Sequence, residues 1–226
     1  TTTMRILAGE SEPYAGTIVR TGEVGYLPQD PREGDLDILA RDRVLSARGL
    51  DTLLADLEKQ QALMAEVVDE AARDKAIRRY GHLEERFAAL GGYAVASEAG
   101  RICSSLGLPE RVLTQQLRTL SGGQRRRVEL ARILFGAADG AAGSSSSNTL
   151  LLAGPTNHLD ADSIGWLRDF LKSHTGGLVI ISHNVELLAD VVNRVWFLDA
   201  VRGEADVYNM SWQKYLDARA TDEQRR

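Results

Sequence analysis

Apolar residues between positions 51 and 90 recur in steps of three and four, which is the spacing of one face of an α-helix. They form two groups, at residues 53–71 and 77–90, and the charged stretch 69–75 lies where the groups meet. The pattern predicts two amphipathic helices that form a hairpin with its tip near residues 69–75. Periodicity alone leaves open whether this hairpin is packed within a globular helical subdomain or projects as an arm.

Short, continuously apolar runs occur later in the chain, at residues 150–153 and 178–181. Runs of this length without alternation are typical of parallel strands that are covered on both faces. A helix predicted at residues 164–172 connects them and completes a β-α-β unit. Residues 194–199 and 204–208 predict a β-hairpin. The predicted fold class is therefore α/β.

The first third of the chain is less regular. Residues 1–8 predict a short helix that ends at Gly9, because glycine tolerates the left-handed conformation that often follows a helix. Two β-prone runs follow, at residues 17–20 and 23–27. Residues 136–148 are rich in Gly, Ala and Ser, a composition that predicts a flexible surface loop.

Charge and composition limit the kinds of partner. The 226 residues include 27 Lys and Arg and 32 Asp and Glu, so the net charge is −5. Such a chain is not a globally basic nucleic-acid binder, and any contact with RNA requires a local basic patch. The single cysteine, Cys103, excludes an intrachain disulfide and a cysteine-rich zinc site. No apolar run approaches the roughly 18 residues that indicate a membrane span.

One pentapeptide has the composition of a phosphate site. It reads Leu120-Ser121-Gly122-Gly123-Gln124. Ser121 is suited to cap a helix that begins near Gly122, and the two glycines leave backbone amides uncovered at the positive end of the helix dipole. An amphipathic, arginine-rich run follows at residues 125–132. Its three consecutive arginines are compatible with a solvated helix face.

Four further segments follow a fixed order relative to this pentapeptide. They are Pro28-Gln29-Asp30, the strand at residues 150–153, Asn157-His158-Leu159-Asp160 and Ile181-Ser182-His183. With the pentapeptide as signature sequence, they resemble the glutamine loop, metal-site strand, crossing loop and switch histidine of the ATP-binding cassette (ABC) family. The resemblance covers nearly the whole chain. It implies an incomplete P-loop NTPase-like α/β core with a helical subdomain, and it implies binding of ATP and Mg²⁺.

The resemblance also implies roles for individual residues. His183 and Gln29 match catalytic positions of the family. The positions that match nucleotide contacts are Thr1, Thr2, Ser121, Gly122, Gly123, Gln124 and Asp160, and those that match metal contacts are Thr1 and Gln29. A lone histidine at a strand end is usually structural, but the order of the motifs favours a functional His183.

A narrower resemblance is carried by Pro155-Thr156-Asn157-His158-Leu159-Asp160, which is typical of the ABC-F branch. From Gln29 to Leu120 is 120 − 29 = 91 positions, longer than usual in transporter cassettes, and the excess coincides with the hairpin. The resemblance implies a cytoplasmic protein that pairs with a second cassette and acts on the ribosome, in translation or antibiotic resistance. The alternatives are a transporter subunit with a membrane partner and a cassette remnant without enzymatic activity.

The arm is the candidate contact with ribosomal RNA. Its second half concentrates positive charge at Arg73, Lys75, Arg78, Arg79 and Arg86. The alternative is a solvated helix face balanced by nearby acidic residues, and the sequence gives both interpretations nearly equal support.

Two departures from the family pattern concern catalysis. No G-x-x-x-x-G-K-[ST] sequence is present, although Thr1 and Thr2 match its last residue and the one that follows. Ala153 and Gly154 occupy the positions of an Asp-Glu pair that holds the Mg²⁺ shell and polarises the attacking water. General-base assistance is worth about 10²–10⁴ in rate, so we expect this chain to be hydrolysis-defective.

These observations predict a domain division. Residues 1–34 are expected to belong to the cassette core with the glutamine loop, and residues 35–119 to the helical subdomain. Residues 120–217 are expected to contain the signature helix and the rest of the core. The polar residues 218–226 resemble the start of a linker between cassettes, so we expect a truncated first cassette.

Overall fold

The computed structural model describes residues 2–29, 34–138 and 148–224, with side chains as far as residue 221. Thr1 and most of the loop predicted at residues 136–148 lie outside the described residues. The start of that prediction is wrong, because residues 136 and 137 still belong to a helix.

Ten helices and five strands are present in the described ranges. The helices are α1 (Thr2–Ala8), α2 (Ala40–Leu45), α3 (Leu50–Glu66), α4 (Glu70–Ala89), α5 (Gly92–Ser105), α6 (Glu110–Leu113), α7 (Gly122–Ala137), α8 (Ala161–Ser173), α9 (Val185–Val191) and α10 (Trp212–Gln224). The strands are β1 (Val24–Leu27), β2 (Thr149–Ala153), β3 (Leu178–Ile181), β4 (Val195–Asp199) and β5 (Glu204–Tyr208). Short 3-10 helices lie at Ser46–Arg48 and Leu117–Thr119.

A three-stranded parallel sheet has the order β1-β2-β3. Val24 lies opposite Thr149, and Leu150 lies opposite Leu178. The continuous apolar run of β2 is buried from Leu150 to Ala153, as the pattern predicted. Because all three strands run in the same direction, their carboxyl ends meet at one edge of the sheet. A separate antiparallel hairpin, β4-β5, follows in the chain.

The β-prone run at residues 17–20 is not a strand, which corrects the prediction. Val19 is 87% exposed and Ile18 is only partly covered, so the run has no fully buried apolar residue. Arg20 instead folds back on α1 and donates hydrogen bonds to the carbonyl oxygens of Leu7 (2.8 Å) and Ile6 (2.6 Å). These carbonyls belong to the last turn of α1, where that of Ile6 also accepts a hydrogen bond from the backbone N–H of Gly9 at 3.1 Å. Together with that backbone contact, the arginine caps the helix end.

The core lies between the sheet and α7. Helix α7 buries Val128, Leu130 and Leu134, and its approach to β1 requires a residue without a side chain. A Cβ atom at Gly25 would lie 2.9 Å from Cγ2 of Ile133. The sequence pattern did not reveal this close contact.

The carboxyl end of α7 is held by Arg48. Its guanidinium lies 4.1 Å from the ring centroid of Phe135 and donates hydrogen bonds to the carbonyl oxygens of Phe135 (2.9 Å) and Ala138 (3.3 Å). It also pairs with Glu98 of α5 at 3.3 Å. Arg48 therefore caps α7 and connects it to the helical part of the chain.

Helices α3 and α4 form the predicted hairpin. The end nearer the core buries Leu53 and Leu57 of α3 and Phe87 of α4, whereas no residue from 61 to 75 is buried. The outer half of the hairpin therefore projects as an arm. Val68, in the turn between the helices, is 94% exposed.

The tip of the arm lies at residues 67–69 rather than 69–75. The side chain of Asp69 accepts a hydrogen bond from the backbone N–H of Ala72 at 2.9 Å and caps the start of α4. The charged residues after it therefore form the first turns of α4. An aspartate before a helical run is a cap signal, and the charge pattern alone concealed it.

In the part of the chain that the structure describes, no helix is both long and apolar enough to cross a membrane.

Candidate functional site

Four of the predicted site residues lie at the carboxyl ends of the three neighbouring parallel strands. Gln29 lies just beyond β1, Ala153 and Gly154 lie at the end of β2, and His183 lies two residues beyond β3. The backbone N–H of Gly154 donates a hydrogen bond to the carbonyl oxygen of Ile181 at 2.7 Å, which joins the last two strand ends. The carboxyl edge of a parallel sheet is the usual place for ligands in such folds.

The structure gives the side chains at this edge few contacts. Gln29 and His183 are exposed, and neither side chain makes a hydrogen bond or ion pair to another described residue. Thr2 is exposed at the start of α1, whose Met4 is buried. Thr1 lies outside the described residues.

The signature pentapeptide forms the start of α7. The Ser121 hydroxyl accepts a hydrogen bond from the backbone N–H of Gln124 at 3.2 Å, and the Gln124 side chain accepts one from the N–H of Ser121 at 3.0 Å. This reciprocal capping box engages the Ser121 hydroxyl oxygen and the Gln124 amide oxygen as acceptors. A Cβ atom at Gly122 would meet no heavy atom within 4 Å, so the backbone at this end of the helix is open to a ligand.

The crossing loop lies against the same helix end. A Cβ atom at Gly123 would lie 3.3 Å from Cγ of His158, so the imidazole covers this glycine. His158 has a φ of 66°, the one positive value among the described residues other than glycine. The sequence analysis assigned His158 no role of its own. Its imidazole can lie against the start of α7 because Gly123 has no side chain.

Asp160 has a structural task in addition to its predicted nucleotide contact. It caps α8 by accepting a hydrogen bond from the backbone N–H of Ser163 at 2.8 Å. The hydrogen bonds from Ser163 and the nearby Arg127 guanidinium hold the pKa of Asp160 below its usual range. Arg127 itself donates a hydrogen bond to the carbonyl oxygen of Gly107 at 2.9 Å.

Arg126 connects the signature helix to the strand ends. The side chain is 95% buried, since only 5% is exposed. Its guanidinium donates hydrogen bonds to the carbonyl oxygens of Pro28 (2.8 Å) and Gln29 after β1, and to those of Ala153 and Gly154 (3.2 Å) at the end of β2. Arg126 is therefore not one of the arginines on a solvated helix face.

A sequence signal for the burial of Arg126 did exist. The residue lies four positions before Leu130 and seven before Ile133, on the face of α7 that is buried. The run of three similar arginines concealed this difference in position. The helical spacing separates Arg126 from its neighbours where composition does not.

The end of β2 carries no acidic side chain. Ala153 is buried, and Gly154 has a φ of 59°. A Cβ atom at Gly154 would lie 2.8 Å from Nδ2 of Asn157, so the Asn157 amide occupies the space beside this position. The local backbone is therefore one that a residue with a side chain adopts only at a cost.

The described residues at this edge do not fit a complete Mg²⁺ site. Mg²⁺ is bound mainly through carboxylate and phosphate oxygens. No cluster of three or more His, Cys, Asp or Glu side chains in the described ranges is arranged to hold a metal ion. The amide of Gln29 is a single weak ligand. A phosphate, in contrast, fits the open amides at the start of α7.

The basic residues of the arm are arranged with helical regularity. Lys75, Arg79, His82 and Arg86 follow one another at spacings of four, three and four along α4, which places them on one flank of the helix. All four are exposed. His82 was not part of the predicted basic cluster, although its position three residues after Arg79 places it on the same flank of the helix.

The other two basic residues of the predicted arm cluster are placed differently. Arg73 donates a hydrogen bond to the carbonyl oxygen of Val67 and so stabilises the tip (3.0 Å). Arg78 lies three residues after Lys75 and four before His82, so it borders the flank, and it is exposed.

Comparison with known proteins identifies the family. The family model described as "ABC transporter" matches residues 1–139, which is more than half of the chain. The chain therefore belongs to the ABC transporter family. Curated proteins of the ABC-F branch match the chain, which confirms the branch predicted from the motif at residues 155–160.

Two curated relatives align with nearly the whole chain. The tylosin resistance ATP-binding protein TlrC of Streptomyces fradiae is 33% identical over 231 residues, which cover 100% of this chain and 39% of TlrC. The energy-dependent translational throttle protein EttA of Escherichia coli (strain K12) is 32% identical over 218 residues, covering 96% of this chain and 37% of EttA. The chain thus spans less than half the length of these relatives.

Solved structures confirm the fold class. The RNase-L Inhibitor structure aligns with a TM-score of 0.57 and 16% identity, covering 98% of this chain and 34% of the other. An ATP binding subunit of an ABC transporter aligns with a TM-score of 0.53 and 14% identity, covering 85% of this chain and 67% of the other. At these identities the similarity concerns the α/β cassette fold alone.

The conformation of Gly154 leads to a prediction about stability. Replacement of Gly154 by Ala is expected to lower the free energy of unfolding by about 1–2 kcal/mol, because alanine is strained at a positive φ and its Cβ meets Asn157. The measurement is urea unfolding followed by circular dichroism. The control is Gly122→Ala, which meets open space in the first turn of a helix and is expected to stay within about 0.5 kcal/mol. Equal stability of both variants would contradict the assigned conformation.

Proposed function

We propose that this chain is an ABC-F cassette whose signature face closes over ATP held by a second cassette, while its own strand ends do not hydrolyse ATP. The observation that carries the proposal is the contrast between the two halves of the site. The start of α7 is open at Gly122 and presents backbone amides, whereas Ala153 and Gly154 supply no carboxylate.

The chemistry of each half supports this division. Backbone amides at a helix start bind a phosphate with no contribution from a titrating side chain. Hydrolysis, in contrast, requires a group that orients and deprotonates the attacking water, and neither alanine nor glycine provides one. The family binds ATP with Mg²⁺, but in this proposal the second cassette supplies the ligands for both.

The arm is the second part of the proposal. It projects from the cassette and carries the basic flank formed by Lys75, Arg79, His82 and Arg86, in a chain of net charge −5. We infer that this flank contacts phosphates of ribosomal RNA in a cytoplasmic ribosome complex. The names of the relatives, which refer to tylosin resistance and to translational throttling, support action on translation.

The missing acidic pair predicts that the purified chain does not hydrolyse ATP above background. Phosphate release is the measurement, and a cassette with an intact phosphate loop and acidic pair is the positive control. Turnover in the range of that control, abolished by His183→Ala, would contradict the proposal. A value at background that is unchanged by His183→Ala is the expected result.

The signature face predicts ATP-dependent association with an intact cassette. Crosslinking of the chain to such a cassette is expected to rise when ATP is added. Gly122→Asp is expected to abolish that rise, because it adds a side chain and a negative charge where phosphate must approach. Gly165→Asp in α8 is the matched control, since a Cβ atom there also meets open space. An ATP-dependent rise that Gly122→Asp leaves intact would exclude this face.

The arm predicts salt-dependent binding to ribosomes. Reversal of Arg78 and Arg79 to Glu is expected to weaken co-sedimentation roughly tenfold at low salt, and less at high salt, where exposed charges are screened. Both side chains are exposed, and neither forms an ion pair with another described residue.

The matched control for the arm reverses two other exposed arginines, Arg101 and Arg111, and so changes the net charge equally. This control is expected to retain binding. Equal binding by the wild type and the Arg78/Arg79 variant at low salt would remove the arm from contact with RNA. Equal loss in both variants would show a general charge effect instead.

A further inference from the structure

Adjacent arginines of α7 have opposite environments. Arg126 is buried and donates hydrogen bonds to carbonyl groups of two strand ends. Arg125, one residue earlier, is half-buried, and its side chain makes no hydrogen bond or ion pair within the described ranges. The two residues have the same charge and lie in the same turn of the helix. The difference between them is therefore one of contacts: Arg126 is bonded to the strand ends, and Arg125 makes no such bond in the described ranges.

The carbonyl groups that Arg126 holds belong to two segments that match motifs of the ABC family. Two of them, on Pro28 and Gln29, begin the glutamine loop. The other two, on Ala153 and Gly154, begin the turn that leads to the crossing loop. The same turn is closed by the backbone N–H of Asn157, which donates a hydrogen bond to the Gly154 oxygen at 3.2 Å.

We propose that Arg126 is a positioning residue, which holds the glutamine loop and the start of the crossing loop in a fixed relation to the signature end of α7. The positioning itself follows from contacts within this chain. Its consequence for ATP-dependent association rests on the proposed function.

The chemistry of the side chain explains why an arginine is needed. A guanidinium presents five N–H donors in a rigid plane and stays protonated when buried, so one group serves several carbonyls at once. A lysine at residue 126 would present a single ammonium group, which cannot span both strand ends with the same geometry. Methionine keeps much of the length and apolar character of the stem and removes all the donors.

Without Arg126, the turn at residues 153–157 loses its restraint from the helix. Two backbone N–H groups report on that turn, because Gly154 donates to Ile181 and Asn157 donates to Gly154. Opening of the turn exposes both amides to solvent exchange. The β4-β5 hairpin has its own hydrogen bonds and no contact with Arg126 among those described, so it reports on the stability of the rest of the protein.

The test is amide hydrogen exchange, measured residue by residue by NMR on the 226-residue chain without nucleotide. Arg126→Met is expected to accelerate exchange at Gly154 and Asn157 about tenfold or more, because lost hydrogen bonds are reflected in local opening. Exchange in the β4-β5 hairpin is expected to change much less. Arg126→Lys is expected to be intermediate at the turn, and Arg125→Met to match the wild type.

Several results would overturn the proposal. They are unchanged exchange at the turn in Arg126→Met, an equal acceleration throughout the protein, or an equal effect of Arg125→Met. If Arg126→Met does not fold, Arg126→Lys decides, and wild-type exchange at Gly154 and Asn157 in that variant would exclude positioning.

A second measurement separates this proposal from the proposed function. In the ATP-dependent crosslinking assay, Arg126→Met is expected to reduce the yield and Arg125→Met to leave it unchanged. If the wild type itself shows no ATP-dependent crosslinking, the proposed function fails while the exchange result still decides the positioning role. If the wild type crosslinks and Arg126→Met crosslinks equally, positioning has no functional consequence and that part of the proposal is wrong.

Discussion

The arrangement of the candidate site depends on one buried guanidinium. Arg126 lies where α7 crosses the ends of β1 and β2, and its guanidinium donates hydrogen bonds to carbonyl groups of both strand ends. Burial of a positive charge is costly unless its hydrogen bonds are complete. The helix, the two strand ends and the loops that follow them are therefore constrained together, since a movement of one of them breaks contacts in the others.

Much of the fold was predictable because its signals are local. The apolar runs identified β2 and β3, and the three-four spacing identified α3 and α4. The predicted element bounds were wrong where a side chain caps a helix end. Arg20 caps α1 across thirteen residues, so its segment has a task that strand propensity does not reveal. Asp69 begins α4, although the surrounding charges resemble a turn.

The motifs located the candidate site, but they did not describe its internal contacts. The order of the motifs identified Gln29, the signature pentapeptide and His183, and three parallel strands explain why Gln29 and His183 lie at one edge. The roles of Arg126 and His158 depend on packing between segments far apart in sequence. Such contacts leave only a weak trace in one sequence, as the helical position of Arg126 illustrates.

Helix α7 is restrained at both ends, and this has a mechanical consequence. Arg126 fastens its first turns to the sheet, and Arg48 fastens its last turn to the 3-10 segment at Ser46–Arg48 and to α5. A 16-residue helix is about 24 Å long. A rod of that length turns a tilt of a few degrees at one end into a displacement of one to two ångströms, roughly, at the other. Because the 3-10 segment at Ser46–Arg48 directly precedes α3 in the chain, a displacement of that segment would reach the strand ends as a tilt of α7.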